Sequence, residues 1–125
     1  MLNTLLTVAL GGAIGASGRY VVNVTATRVV GYSYPAGTMI VNVLGSFLMG
    51  ALFVFLAKKG GNAWAPFLMT GVLGGFTTFS AFSLDTLTLF ERGQVATAAG
   101  YVVLSVGLSL GALVLGVFAA RAVFA

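Results

Sequence analysis

The chain has 125 residues, of which 59% are hydrophobic and 6% are charged, and its formal net charge is +4. A soluble domain carries about a quarter of charged residues, so this composition indicates a membrane protein with room for about four apolar spans of roughly 20 residues. Cysteine and histidine are absent and the basic residues are scattered, which excludes disulfides, zinc-type sites, histidine catalysis and a nucleic-acid-binding patch.

The first span is predicted over residues 4–27. Its start, MLNTLLTVALGGAIGASGRY, ends in small residues as a signal peptide does but has no leading basic residue, so we expect it to be retained. Gly11 and Gly15 are spaced for close helix packing. Arg19 has two open interpretations: a side chain that snorkels to the membrane surface, or a positive charge at an aqueous vestibule that concentrates anions.

The second span is predicted over residues 37–57, between the turn-forming runs RVVGYSYP and KKGGN. It contains Asn42, whose amide must face protein or water inside a membrane. An interhelical hydrogen bond and a pore-lining role are both open for Asn42. Ser46 and Gly50 form a second pair of small residues at the close-packing interval.

The third span, residues 64–90, contains the segment Gly74–Ser83, which has the sequence GGFTTFSAFS. Glycines and hydroxyl residues weaken a membrane helix, and hydrocarbon tolerates a break only where protein or water covers the freed backbone groups. We therefore predict a mid-membrane break at Gly74–Thr78 and an ion or substrate site beside it.

Two kinds of ion fit this segment. Main-chain carbonyls freed by the break suit Na⁺. Phe79 and Phe82 share a helix face, and the positive edges of their rings suit a small dehydrated anion together with the amide hydrogens of Asn42.

The fourth span is predicted over residues 95–123. Tyr101, Ser105 and Ser109 are spaced i, i+4, i+8, which places their hydroxyls in one stripe on a helix face. Such a stripe indicates a hydrated track, although a serine can also bond to its own helix. Gly107 and Gly111 are a third small-residue pair.

Short-loop charges give a weak orientation bias. One side of the membrane would hold Lys58, Lys59 and Arg121, and the other Arg28 and Arg92. With so small a difference both orientations can insert, and an antiparallel dimer then becomes possible. Four short helices enclose little pore, so self-association is expected.

The motif GGFTTFSAFS, preceded by Arg19 and by Asn42 in GTMIVNVLGS, resembles the Fluc-type fluoride channels of the CrcB family, and the likeness extends over the whole chain. The resemblance implies a single all-α domain over 1–125 with four transmembrane helices, the third broken mid-membrane, in the inner (plasma) membrane. It further implies an antiparallel, dual-topology homodimer among membrane lipids, with two pores that export fluoride passively.

The same resemblance implies roles for individual residues. Main-chain carbonyls of Gly74 and Thr77 from both subunits would hold a central structural Na⁺. One position departs from the pattern: Asp85 stands where a Glu is expected, so whether the shorter side chain reaches the same hydroxyl partners, and its role in permeation, stay open. The fluoride pathway implied by the match comprises Phe79, Phe82, Asn42, Tyr101, Ser105, Ser109, Ser83 and Arg19.

Three other functions were weighed. A proton-coupled multidrug exporter needs a carboxylate within a span, and the acids here are Asp85, late in the third span, and Glu91, in a loop. A purely structural subunit would explain the glycines but not the hydroxyls and Asn at span centres. An enzyme is least compatible with two acidic residues and no histidine or cysteine.

Overall fold

The computed structural model describes residues 1–124, and within this range every regular element is a helix. Three helices are continuous: α1 (Leu2–Val30), α2 (Ala36–Lys59) and α5 (Val95–Val123). With the interrupted segment Asn62–Glu91, they give four stretches long and apolar enough to span a membrane, with mean hydropathies between 1.4 and 2.4. This confirms the prediction of four spans; the first three run one to three residues beyond their predicted bounds, and the fourth matches its bounds.

The third span is built from several short pieces. A 3₁₀ turn, Asn62–Trp64, leads into a π-helix, Pro66–Leu73, which continues as one α-helical turn, Gly74–Phe76; residues 66–76 are here called α3. After two extended residues, α4 runs over Phe79–Glu91. The break thus lies at Thr77 (φ −87°, ψ 157°) and Thr78 (φ −151°, ψ 122°), while the glycines that suggested it remain helical.

Gly75 and the segment before it pack closely on α1. A Cβ on Gly11 would lie 2.6 Å from the Phe67 carbonyl oxygen, and one on Gly75 would lie 2.7 Å from the Gly12 carbonyl oxygen. A Cβ on Gly15 would also strike the Val72 carbonyl. Backbone therefore packs directly on backbone, as predicted for Gly11 and Gly15.

Helix α5 packs on α2 through glycine in the same way. A side chain at Gly50 would collide with the Leu113 carbonyl, and one at Gly116 with that of Phe47. Gly107 and Gly111 differ, because a Cβ on either would meet nothing within 4 Å. This third small-residue pair packs against no other part of the described chain and lies on its outer face.

The buried interior is small and lies beside the break. Tyr101, Leu89 and Val41 are the largest fully buried side chains, and Tyr34 and Phe82 pack against the cluster that contains Tyr101 and Leu89. Large apolar side chains are instead exposed along all four spans. That distribution suits a protein whose exterior is solvated by lipid.

Candidate functional site

Asn42 bridges the main chain of the broken helix. Its side-chain oxygen accepts a hydrogen bond from the Thr78 N–H (2.7 Å), and its amide nitrogen donates to the Thr78 carbonyl oxygen (2.9 Å). Both backbone groups of an extended residue in mid-span are thereby satisfied, as a break within a membrane requires. Asn42 therefore makes the interhelical bond considered above, and one hydrogen of its amide group remains available.

Two further contacts bind other carbonyls near the break. The Arg19 guanidinium donates from Nε to the Gly75 carbonyl (3.1 Å), and the Leu73 carbonyl accepts from both the N–H (3.0 Å) and the hydroxyl (2.9 Å) of Thr77. Arg19 thus reaches the broken helix itself and remains half-buried there. These bonds, together with those of Asn42, involve neither the Gly74 nor the Thr77 carbonyl oxygen.

Helix α4 restarts with a capped N-terminus. The Thr78 hydroxyl accepts a hydrogen bond from the Ala81 N–H (3.1 Å), which satisfies one of the free donors at the helix start. The break therefore lies between two helix ends of opposite polarity, the positive end of the α4 dipole and the negative end of the α3 dipole. Phe79 and Phe82 project from the first turn of α4, at the positive end.

Aromatic rings continue from α4 to α5. The Phe79 and Phe82 centroids are 5.6 Å apart, and those of Phe82 and Tyr101 are 5.4 Å apart. The Tyr101 hydroxyl donates to an Asp85 carboxylate oxygen at 3.1 Å. The shorter acid therefore does reach a hydroxyl of the predicted stripe.

A cavity of about 280 Å³, here called the central cavity, brings most of the predicted pathway together. It lies between α2, the break, α4 and α5. Its lining contains no charged side chain, and its polar groups are hydroxyls and one amide. The predicted residues among its walls are Asn42, Thr77, Phe79, Phe82, Ser105 and Ser109.

Ser105 is the anomaly of this cavity. Its side chain is 4% exposed and its hydroxyl has no hydrogen-bond partner among the described residues. Hydroxyls on the neighbouring helix behave differently: Ser83 donates to the Phe79 carbonyl (2.9 Å) and Thr86 to that of Phe82 (2.9 Å). A buried donor without a partner costs about 1–3 kcal/mol, a cost that would be removed if the side chain turned toward an ion or water in the adjoining cavity.

The substitution Ser105→Ala separates function from folding. Because the hydroxyl bonds to none of the described residues, its removal is expected to leave the melting temperature unchanged or slightly raised. Loss of one donor to an ion in transit should slow efflux of that ion several-fold, at about 1.4 kcal/mol per tenfold. Thr7→Val is the matched control, since Thr7 is exposed, donates to the Asn3 carbonyl of its own helix (2.7 Å) and is absent from the cavity wall.

A second cavity of about 280 Å³, here called the outer cavity, lies at the α1–α2 loop. Asp85 and Arg92 both line it. Asp85 bonds the Tyr101 hydroxyl, and the Tyr101 ring contacts Phe82 on the wall of the central cavity, so the Tyr101–Asp85 pair lies between the two cavities. Tyr34 from the loop also lines it, and burial raises the pKa of its phenol above the usual value of 10.0. The loop thus presents a neutral hydroxyl to this cavity.

Asn23 in the outer cavity was missed by sequence reasoning. The signal was present, because Arg19, Asn23 and Thr27 are spaced by four residues and share a face of α1. The same spacing places the hydroxyls of Tyr101, Ser105 and Ser109 on one face of α5. Asn23 and Thr27 both line the outer cavity.

The two cavities have the chemistry of a conduction path for a small anion. The central cavity supplies neutral donors and two phenylalanine rings, and the described residues contain no cluster of His, Cys, Asp or Glu able to hold a metal ion. Neutral donors can replace water around an ion without binding it irreversibly. The central cavity also lacks the carboxylate that a proton-coupled exporter of cations needs.

The sequence is similar to those of one known protein family. The model of the family described as CrcB-like protein, Camphor Resistance (CrcB), matches residues 6–117. A relative from Cereibacter sphaeroides named "Fluoride-specific ion channel FluC" is 66% identical over 121 residues, covering 97% of each chain. Relatives with the same name from Ruegeria sp. and Paracoccus denitrificans are 60% and 55% identical, over 98% and 100% of each chain.

Proposed function

This chain belongs to the CrcB family, and from that premise we propose that it is a fluoride-selective channel through which F⁻ leaves the cell passively, conferring resistance to fluoride. It is a multi-pass protein of the plasma membrane, and its relatives are named as channels, not as enzymes. The observation that carries the proposal is the uncharged central cavity lined by Ser105, whose buried hydroxyl has no partner among the described residues.

Fluoride would move along neutral donors. The remaining amide hydrogen of Asn42 and the hydroxyls of Ser105 and Ser109 can replace lost water, while the electropositive edges of Phe79 and Phe82 complete the shell. Burying an unpaired anion is costly unless such donors are present. Small donors and fixed rings fit a small anion better than a larger, softer one, which is the basis proposed for selectivity.

The exposed face of the break favours a dimer. In the single chain Phe79 is 77% exposed, and Gly74, Ser80 and Ser83 are exposed beside it at mid-span. Polar groups facing lipid at that depth are unfavourable, and a second copy of the same face would cover them. The near balance of Lys and Arg between the loops allows opposite orientations, so we propose an antiparallel homodimer with two pores.

A sodium ion fits the centre of such a dimer. The carbonyl oxygens of Gly74 and Thr77 lie at the negative end of α3 and take no part in the hydrogen bonds of the break. Carbonyls at a broken helix are the ligands that Na⁺ takes in transporters. Two subunits would supply four such oxygens around one ion, which would act as a fixed charge holding the two breaks together.

Replacing Na⁺ by a large organic cation during purification should therefore weaken the dimer. The expected result is a shift from dimer to monomer in detergent and a loss of fluoride efflux, both restored by adding Na⁺. K⁺ at equal ionic strength is the control for screening. Equal dimer fraction and equal efflux with and without Na⁺ would contradict a structural sodium.

Growth on fluoride tests the function in cells. A bacterial strain without its own fluoride exporter should grow on fluoride when it expresses this chain, because passive efflux lowers the internal concentration. An equally expressed Phe82→Ile variant should support less growth than the wild-type chain at the same fluoride concentration. Failure of the wild-type chain to improve growth, with protein present in the membrane, would count against fluoride export.

A further inference from the structure

We propose that Asn23 binds the anion in the outer cavity, and that with Arg92 it forms the mouth through which fluoride enters or leaves the central cavity. This inference rests on the proposed function. It concerns a position outside both the motif GGFTTFSAFS and the hydroxyl stripe of α5. The observations are the placement of Asn23, the contacts of its amide and the charges around it.

Asn23 is a polar side chain within a membrane span whose amide takes part in none of the side-chain hydrogen bonds of the described residues. It is half-buried and lines the outer cavity together with Thr27 and Thr38. Thr25, on the other face of α1, instead donates to the Val21 carbonyl (2.9 Å). An amide without a protein partner in a span must meet water or a ligand.

The packing of α2 orients the Asn23 amide. A Cβ added to Gly37 would strike the Asn23 side-chain oxygen and would lie 3.0 Å from the Asn23 Cα. The oxygen is therefore turned toward α2, into space that only glycine leaves free. The NH₂ group is the other half of the side chain and is the part able to donate into the cavity.

The charged groups around the cavity are ordered from mouth to base. Arg92, at the end of α4, donates to the Tyr32 carbonyl at 3.4 Å and so lies across the α1–α2 loop. Asp85 lies deeper, where the Tyr101 hydroxyl bonds its carboxylate. The other facing groups are neutral: Asn23, Thr27 and Thr38, Tyr32 and Tyr34 from the loop, and Thr88 from α4.

This order suits an anion that arrives hydrated. The Arg92 guanidinium raises the local anion concentration, and the neutral Asn23 amide then replaces part of the hydration shell before the ion passes Tyr101. Conduction requires sites that bind weakly enough to release the ion. A neutral amide binds the ion more weakly than a second cation would, so it releases the ion more readily. Its hydrogen bond also offsets the repulsion that the ion meets as it approaches Asp85.

The test is the concentration dependence of fluoride efflux from proteoliposomes for wild type, Asn23→Leu and the control Thr25→Val. Asn23→Leu should raise the half-saturating fluoride concentration by about fivefold to tenfold, the loss of one neutral hydrogen bond. Thr25→Val, on the lipid-facing side of the same helix, should match wild type. If Asn23→Leu yields no folded dimer, Asn23→Ala carries the same expectation, because it also removes the amide donor and adds no bulk.

A second test concerns the positive charge of Arg92 at the mouth of the outer cavity. Arg92→Gln should slow efflux several-fold at low salt and much less at 0.3 M salt, because screening shortens the range of the charge to about 5–6 Å; Arg92→Lys should keep the wild-type salt dependence. An unchanged half-saturating concentration in Asn23→Leu, with wild-type efflux present, overturns this inference alone. Absence of fluoride efflux from the wild-type protein overturns the proposed function and this inference together.

Discussion

Replacing Asn42 by leucine is expected to abolish fluoride efflux and to destabilise the protein. The side chain bonds both the N–H and the carbonyl of Thr78, at 2.7 and 2.9 Å, and leucine leaves both groups unsatisfied within the membrane. Each lost partner costs about 1–3 kcal/mol, so the joint between α3 and α4 should loosen. The measurements are fluoride efflux from proteoliposomes and the thermal midpoint of the purified protein.

Asn42→Asp separates the two bonds. An ionised carboxylate still accepts from the Thr78 N–H but has no hydrogen to give the Thr78 carbonyl or a passing anion. Its negative charge would also repel fluoride in the central cavity, and its second oxygen would face the Thr78 carbonyl oxygen, so efflux and the thermal midpoint should both fall at least as far as in Asn42→Leu. Wild-type efflux and stability in both variants would show that the bridge to Thr78 holds nothing essential.

Replacing Phe82 by isoleucine is the second change with a large expected effect. The ring lies at 5.6 Å from Phe79 and 5.4 Å from Tyr101, and it lines the central cavity. Isoleucine fills similar space but has no electropositive edge. If the edge supplies about 1.4–2.8 kcal/mol to the ion in transit, efflux should fall tenfold to a hundredfold.

Phe90→Ile is the matched control, because Phe90 lies on the same helix, is 57% exposed and lines neither cavity. It should retain wild-type efflux. The dimer fraction of Phe82→Ile should also match wild type, which separates ion coordination from assembly. Equal efflux in Phe82→Ile and Phe90→Ile would rule out coordination by the Phe82 ring edge.

The four spans follow from composition because a membrane helix needs only length and apolarity. Composition does not determine the exact site of the break. Glycine propensity pointed to Gly74 and Gly75, yet Gly75 stays helical, since its missing Cβ allows α1 to approach, and the chain extends at Thr77 and Thr78. The π-helix Pro66–Leu73 likewise depends on packing against α1, which no local pattern encodes.

The functional residues also divide into those that the sequence predicts and those whose contacts only the structure shows. Spacing on one helix identified Tyr101, Ser105 and Ser109 as a stripe, and the structure places the two serines on the cavity wall. Spacing along one helix does not predict contacts between helices. Arg19 bonding the Gly75 carbonyl, and Asp85 reaching Tyr101 despite its shorter side chain, depend on distances between distant parts of the chain.

The contacts at the break favour a fixed joint over a hinge in this chain. Asn42, Arg19 and Thr77 bind the backbone groups of Thr78, Gly75 and Leu73 from three directions. A hinge would leave such groups free to exchange partners during motion. A rigid joint instead keeps Phe79, Phe82 and the free carbonyls in place, as a conduction path for a small ion requires.

Fluoride and chloride efflux from the same proteoliposomes, driven by equal gradients in the presence of Na⁺, tests the fluoride-channel proposal most directly. The expected result is rapid release of fluoride, with chloride release at the level of protein-free liposomes. Equal rates for the two anions, or no release of either from folded protein, would contradict it.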